Sequence, residues 1–188
     1  ERMFRLIQGD VGSGKTIVSL IAALNTIKSG YQVALMVPTA ILAEQHYNFS
    51  TKFFNSDIKV ELISGKINYL NKKKILQNLE NNKIKLIIGT HALFQKKIKF
   101  KKLGLIIIDE QHKFGVNQRK ELSDKGGNDC DVLVMSATPI PRTMMMTVYG
   151  DMDVTLIKEK PKNRKEIKTY SKIESKIHEV INFSKKEI

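Results

Sequence analysis

The sequence predicts an α/β protein built on an open, mostly parallel sheet with helices on both faces, and three observations carry that reading. Short runs of Ile, Val and Leu alternate along the chain with longer stretches of helical spacing, the signature of repeated strand–helix–strand units. The runs are continuously apolar instead of alternating, as strands covered on both faces must be. A glycine-rich turn stands between the first run and the first helix, where a nucleotide-binding sheet would place it.

The candidate strands are residues 4–8, 32–37, 59–64, 86–89, 105–109 and 132–136. The first helix is expected over residues 15–28: Ile17, Ile21, Leu24 and Lys28 form one line along it, Leu20, Leu24 and Ile27 the next, and Gly30 stops it. After Gly150 the texture changes. Residues 158–166 are charged, contain Pro161 and carry no apolar side chain, which reads as a linker. Residues 167–170 have strand composition, and Ile173, Ile177, Val180 and Ile181 recur at helical spacing. One strand and one helix cannot enclose a core. The expected organisation is therefore a complete domain over 1–157, a linker over 158–166, and over 167–188 the start of a second domain whose remainder lies outside this chain.

A chain of 188 residues with 41% hydrophobic and 27% charged side chains can bury a core, which excludes a largely disordered protein. The lone Cys130 cannot form an internal disulfide or a cysteine-rich zinc site, and suits a reducing compartment. No apolar run approaches the roughly 20 residues needed to cross a bilayer, and the first residues lack the shape of a signal peptide. The expectation is a bacterial cytoplasmic protein without membrane contact. A net charge of +13, from 32 basic and 19 acidic residues, favours polyanionic partners, nucleic acid first. Only five of the cations are arginine, however, and an AT-rich gene gives such a lysine excess whatever its product does. Charge alone assigns no function.

Chemistry enters with Gly9-Asp10-Val11-Gly12-Ser13-Gly14-Lys15-Thr16, which satisfies Gly-x-x-x-x-Gly-Lys-[Ser/Thr] and sits between a strand and a helix. Glycines let the backbone turn so that its N–H groups and the helix N-terminus face phosphate oxygens. Lys15 is then placed for the β- and γ-phosphates, and the Thr16 hydroxyl for Mg²⁺. A second site element is the strand ending in Asp109 and Glu110, followed by Gln111 and His112. In an open parallel sheet ligands lie beyond the carboxyl ends of strands, so these acids and the phosphate loop should converge. Asp109 is expected to hold the Mg²⁺ shell and Glu110 to orient or deprotonate the attacking water. No second histidine stands at metal-ligand spacing from His112, which excludes a zinc site there.

These words, with Ser136-Ala137-Thr138, resemble motifs I, II and III of superfamily 2 helicases. Flanking segments narrow the match: Val37-Pro38-Thr39, Leu42-Ala43-Glu44-Gln45-His46, Gly89-Thr90-His91-Ala92-Leu93, Phe114-Gly115-Val116, and Pro139-Ile140-Pro141-Arg142-Thr143 after motif III. Together they resemble the RecG family of ATP-dependent branched-DNA helicases. Ser13 and Gln111 favour it over the transcription–repair coupling factor, where Phe and Glu are usual. The resemblance implies a RecA-like first motor domain, the beginning of a second, and a monomer that uses ATP-Mg²⁺ to move on double-stranded DNA and remodel stalled forks and Holliday junctions. It implies that Gln111, His112, Ser136, Ala137 and Thr138 couple nucleotide state to motion, and that loops at Pro38-Thr39, Ser64-Gly65 and Thr90-His91 touch the DNA backbone. Lys113 stands where Arg is usual, and Ser64-Gly65-Lys66 replaces Thr-Gly-Ser. In the family the branch-recognising wedge precedes this segment and the second motor domain with its arginine finger follows it, so residues 1–188 alone are expected to bind ATP and turn it over slowly. The alternative of another class, a phosphate-loop kinase for a small molecule, lacks an obvious lid segment.

Overall fold

The computed structural model describes residues 2–65, 67–95, 97–110, 130–138, 152–159, 171 and 173–187. In chain order the elements are β1 (Phe4–Gly9), α1 (Lys15–Lys28), β2 (Gln32–Met36), α2 (Ala40–Phe54), β3 (Val60–Ile63), α3 (Tyr69–Glu80), β4 (Leu86–Gly89), a 3₁₀ turn (His91–Phe94), β5 (Leu103–Asp109), β6 (Asp131–Ser136) and β7 (Asp153–Ile157). A 3₁₀ turn (Glu174–Lys176) then leads into α4 (Ile177–Glu187). The seven strands form one sheet in the order β3-β4-β2-β5-β6-β1-β7, and every pairing is parallel.

Strand parity sorts the apolar residues into two cores. Leu105 and Ile107 of β5, Leu133 and Met135 of β6, and Val33 and Leu35 of β2 pack under α1 and α2 with Leu20, Ala23, Ile27, Ala43 and Phe54. Ile106 and Ile108, Val132 and Val134, and Ala34 and Met36 face the other side, where Leu79 of α3 and Ile98 cover them. Both faces of the central strands are dry, which explains why their sequences are continuously apolar. Asp109 continues the parity of Leu105 and Ile107 and so belongs to the α1 and α2 side.

Two polar devices tie this frame together. Gln32, fully buried at the amino end of β2, donates from Nε2 to the carbonyls of Leu79 and Ile84 at 2.9 and 2.8 Å. Its Oε1 accepts the N–H groups of Lys101 and Lys102 at 2.9 and 3.1 Å. One side chain thereby joins the end of α3, the start of β4 and the approach to β5. The edge strand β7, absent from the expected strands, is held by Arg5, whose guanidinium reaches Thr155 Oγ1 and Asp153 Oδ2, both at 2.9 Å. Its Val154 and Leu156 are exposed, so it lacks the apolar run that marks the central strands. Cys130 is buried, and burial pushes its thiol up to about 11, which keeps it protonated and unreactive at neutral pH.

The expected strand at 167–170, most of the linker, Lys113 and the segment after Thr138 lie outside the described residues. In α4 the expected apolar line of Ile177, Val180 and Ile181 is exposed, as is Ile173 before it. Among the described residues no helix is long and apolar enough to cross a membrane.

Candidate nucleotide site

The phosphate loop leaves β1 at Gly9 and turns through Gly12 and Gly14, whose φ values of 79° and 94° are in the left-handed region where a side chain is strained. Gly14 is the N-cap of α1, no side chain caps the helix, and its first turn contains no acid. The orphan N–H groups of that turn therefore point outward without an internal acceptor from a cap. Close packing underlies the loop: a Cβ added at Gly9 would lie 2.6 Å from Ser13 Oγ and 3.0 Å from Ile157 Cβ. Ser13 Oγ is itself buried with no hydrogen-bond partner among the described residues.

Lys15 folds its ammonium back over the loop, donating to the carbonyls of Gly9 at 2.7 Å and Asp10 at 2.9 Å. Those bonds hold Nζ above the turn, where phosphate oxygens can take over as acceptors. Thr16 opens α1 beside it. Strand β6 separates β1 from β5, so the loop and Asp109 start from strands two spacings apart, about 10 Å.

At the end of β5 the backbone turns sharply. Glu110 has φ 51°, a left-handed conformation that costs a non-glycine residue about 1–3 kcal/mol. Its N–H is shared between Met135 O at 3.1 Å and Asp109 Oδ1 at 3.0 Å, so the turn is anchored to β6 and to the neighbouring acid. Asp109 Oδ2 faces His46 Nε2 of α2 at 2.9 Å, with side-chain exposures of 14% and 9%. His46 is a further functional candidate, carried in the sequence within the flanking word Leu42-Ala43-Glu44-Gln45-His46. Its signal was present: Ala43, His46, Ser50 and Phe54 form the buried stripe of α2, and two of the four are polar.

Ser136 ends β6, fully buried, and its hydroxyl contacts both the carbonyl and the hydroxyl of Thr138 at 3.1 Å. Gln8 of β1 donates to the same carbonyl at 3.3 Å, so motif III touches the strand that launches the phosphate loop. Ala137 lies between them; Gln111 and His112 fall outside the described residues. The candidate DNA-backbone residues gather on the other wing, beyond the carboxyl ends of β2, β3 and β4. Thr39 is the N-cap of α2 after Pro38, accepting Leu42 N–H at 3.3 Å. Ser64 and Gly65 connect β3 to α3, and Thr90 and the exposed His91 open the 3₁₀ turn after β4.

The open parallel sheet, the loop entering α1 and the acidic end of β5 define a RecA-like phosphate-loop nucleotide-binding domain. The chain belongs to the DEAD/DEAH box helicase family, which residues 2–147 match. It is similar over 188 residues to the ATP-dependent DNA helicase RecG of Aquifex aeolicus and to that of Bacillus subtilis, with 50% identity to each. The match covers 99% and 100% of this chain but only 24% and 27% of those proteins, so the chain spans about a quarter of the relatives' length. Among solved structures, RecG bound to a three-way DNA junction superposes with a TM-score of 0.80 at 46% identity, covering 97% of this chain and 24% of that one. The UvsW helicase of bacteriophage T4 shares the fold, with a TM-score of 0.64 at 17% identity.

Proposed function

We propose that this chain is the ATP-binding motor domain of a RecG-type helicase, which couples ATP hydrolysis to movement on double-stranded DNA and to remodelling of stalled forks and Holliday junctions. The observation that carries the reading is the convergence of the Lys15 loop and the Asp109–Glu110 turn at one end of one sheet, in a chain half identical to RecG throughout. The buried, partnerless Ser13 hydroxyl, the two left-handed glycines and the uncapped α1 terminus fit a bound triphosphate, and the adjacent carboxylate fits its Mg²⁺.

In that reading the residues Gly9 to Gly14 cradle the phosphates through backbone N–H groups, and Lys15 exchanges two carbonyl acceptors for phosphate oxygens. Mg²⁺, when bound, would supply charge neutralisation for the transferred phosphoryl group. Thr16 and Asp109 hold its coordination shell, while Glu110 accepts a proton from the attacking water. Gln111, His112 and the Ser136–Thr138 hydroxyl pair transmit the nucleotide state to the partner domain and the DNA. Pro38, Thr39, Ser64, Gly65, Thr90 and His91 line the wing that receives the DNA backbone. On the same wing a cavity of 630 Å³ is lined by Tyr69, Lys72, Lys73, Leu76, Gln95 and Lys97, so two lysine clusters distant in sequence meet there.

Fluorescence anisotropy with a labelled duplex tests the DNA assignment. The affinity of residues 1–188 should fall linearly in log salt, because phosphate contacts release counterions. A response flat in salt, or no binding at 50 mM salt, removes DNA as a ligand of this domain.

A further inference from the structure

His46 occupies a position that packing alone does not explain. It lies in the buried stripe of α2 between apolar Ala43 and Phe54, and burying an imidazole there is unfavourable unless its nitrogens are matched. Only one is. Nε2 meets Asp109 Oδ2 at 2.9 Å, whereas Nδ1 has no partner among the described residues. Ser50 Oγ, one helical turn further along α2, is equally buried and has no partner among the described residues. A histidine kept for structure would be expected to satisfy both nitrogens; this one commits a single nitrogen to the acid at the end of β5.

The carboxylate is therefore gripped from two sides, with Glu110 N–H on Oδ1 and His46 on Oδ2. An ionised carboxylate only accepts, so the imidazole carries its proton on Nε2 and donates it. We propose that His46 is a positioning residue of the metal site, fixing from α2 the orientation in which Asp109 receives the Mg²⁺ shell. This rests on the reading above that Asp109 holds Mg²⁺. Outer-shell partners of this kind set ligand orientation, and their loss weakens metal affinity by about 10- to 100-fold. The placement has a second consequence. Thr39, on the DNA-facing wing, is the N-cap of the helix that carries His46 seven residues later, about 10 Å along its axis. Helix α2 is thus a rigid strut between the loop assigned to DNA and the ligand assigned to Mg²⁺.

The test is a Mg²⁺ titration of residues 1–188 at fixed fluorescent ATP analogue, compared with nucleotide affinity in EDTA. The variants are His46→Ala, His46→Leu, His46→Gln and Lys15→Ala, each checked for native circular dichroism. The expected result is a Mg²⁺ midpoint about 10-fold higher in His46→Ala and His46→Leu, with affinity in EDTA within twofold of the original. His46→Gln, which restores a donor at similar reach, should return the midpoint to within about threefold. Midpoints unchanged in folded His46→Ala and His46→Leu overturn the proposal, as does His46→Gln behaving like His46→Leu. If Lys15→Ala binds nucleotide as the original does, the nucleotide-site reading itself falls; if it loses binding while the His46 midpoints stay put, only the role of His46 falls.

Discussion

The two halves of the sheet's carboxyl edge are built on different physical terms. On the β5-β6-β1 half the polar groups are engaged within the protein: Lys15 with Gly9 and Asp10, Asp109 with His46 and Glu110, Ser136 with Thr138. On the β3-β4-β2 half Thr39, Gly65 and His91 are exposed, and exposed Lys73 and Lys97 line a groove together with exposed Tyr69. Chemistry on one ligand rewards groups held in place before it arrives. Sliding along a uniform polyanion rewards mobile point charges that let go again. The contrast matches the division of labour proposed for the two halves.

The largest expected effect breaks both halves at once, through the scaffold beneath them. Gln32→Leu leaves carbonyls and N–H groups in three segments without their partner and should cost about 2–4 kcal/mol. A differential scan should find the unfolding midpoint lower by roughly 5–10 °C. Separating the halves comes next. Replacing Lys72, Lys73 and Lys97 together by Glu should weaken duplex binding by about 10-fold or more and flatten the salt slope by roughly 2–3, with ATP affinity unchanged. A parallel loss of ATP affinity would show that the halves are not distinct. The smallest effect probes stored strain in the nucleotide half. Glu110→Gly relieves a left-handed φ of 51° and should raise the unfolding free energy by about 1 kcal/mol, measured by urea titration.

How far each half was legible in the sequence follows from how local its determinants are. The phosphate loop and the acidic strand end are contiguous words, and the central strands announce themselves by unbroken apolar runs, so those strands are legible to within two residues of their ends. Strand β7 was not legible, because it is an edge strand laid on β1, with Arg5 paired to Asp153 148 residues away, and its exposed face dilutes the apolar pattern. Gln32 reads as one more strand residue until its partners 47 and 52 residues away are seen. His46 hid for the same reason: its partner Asp109 lies 63 residues downstream. The groove that joins Lys72 and Lys73 of α3 to Lys97 is invisible in the sequence, since only the fold brings them together. Sequence thus gives the contiguous parts of the nucleotide half, and long-range contacts give the groups that position them.

The proposed function requires one site in which the Gly9–Thr16 loop and Asp109 together hold ATP-Mg²⁺. Isothermal titration of residues 1–188 with ATP and Mg²⁺, side by side with Lys15→Ala, addresses that most directly. Saturable one-to-one binding that Lys15→Ala weakens by about 100-fold, while duplex binding persists, is the predicted result. Equal affinity in the two proteins would contradict the account at its centre.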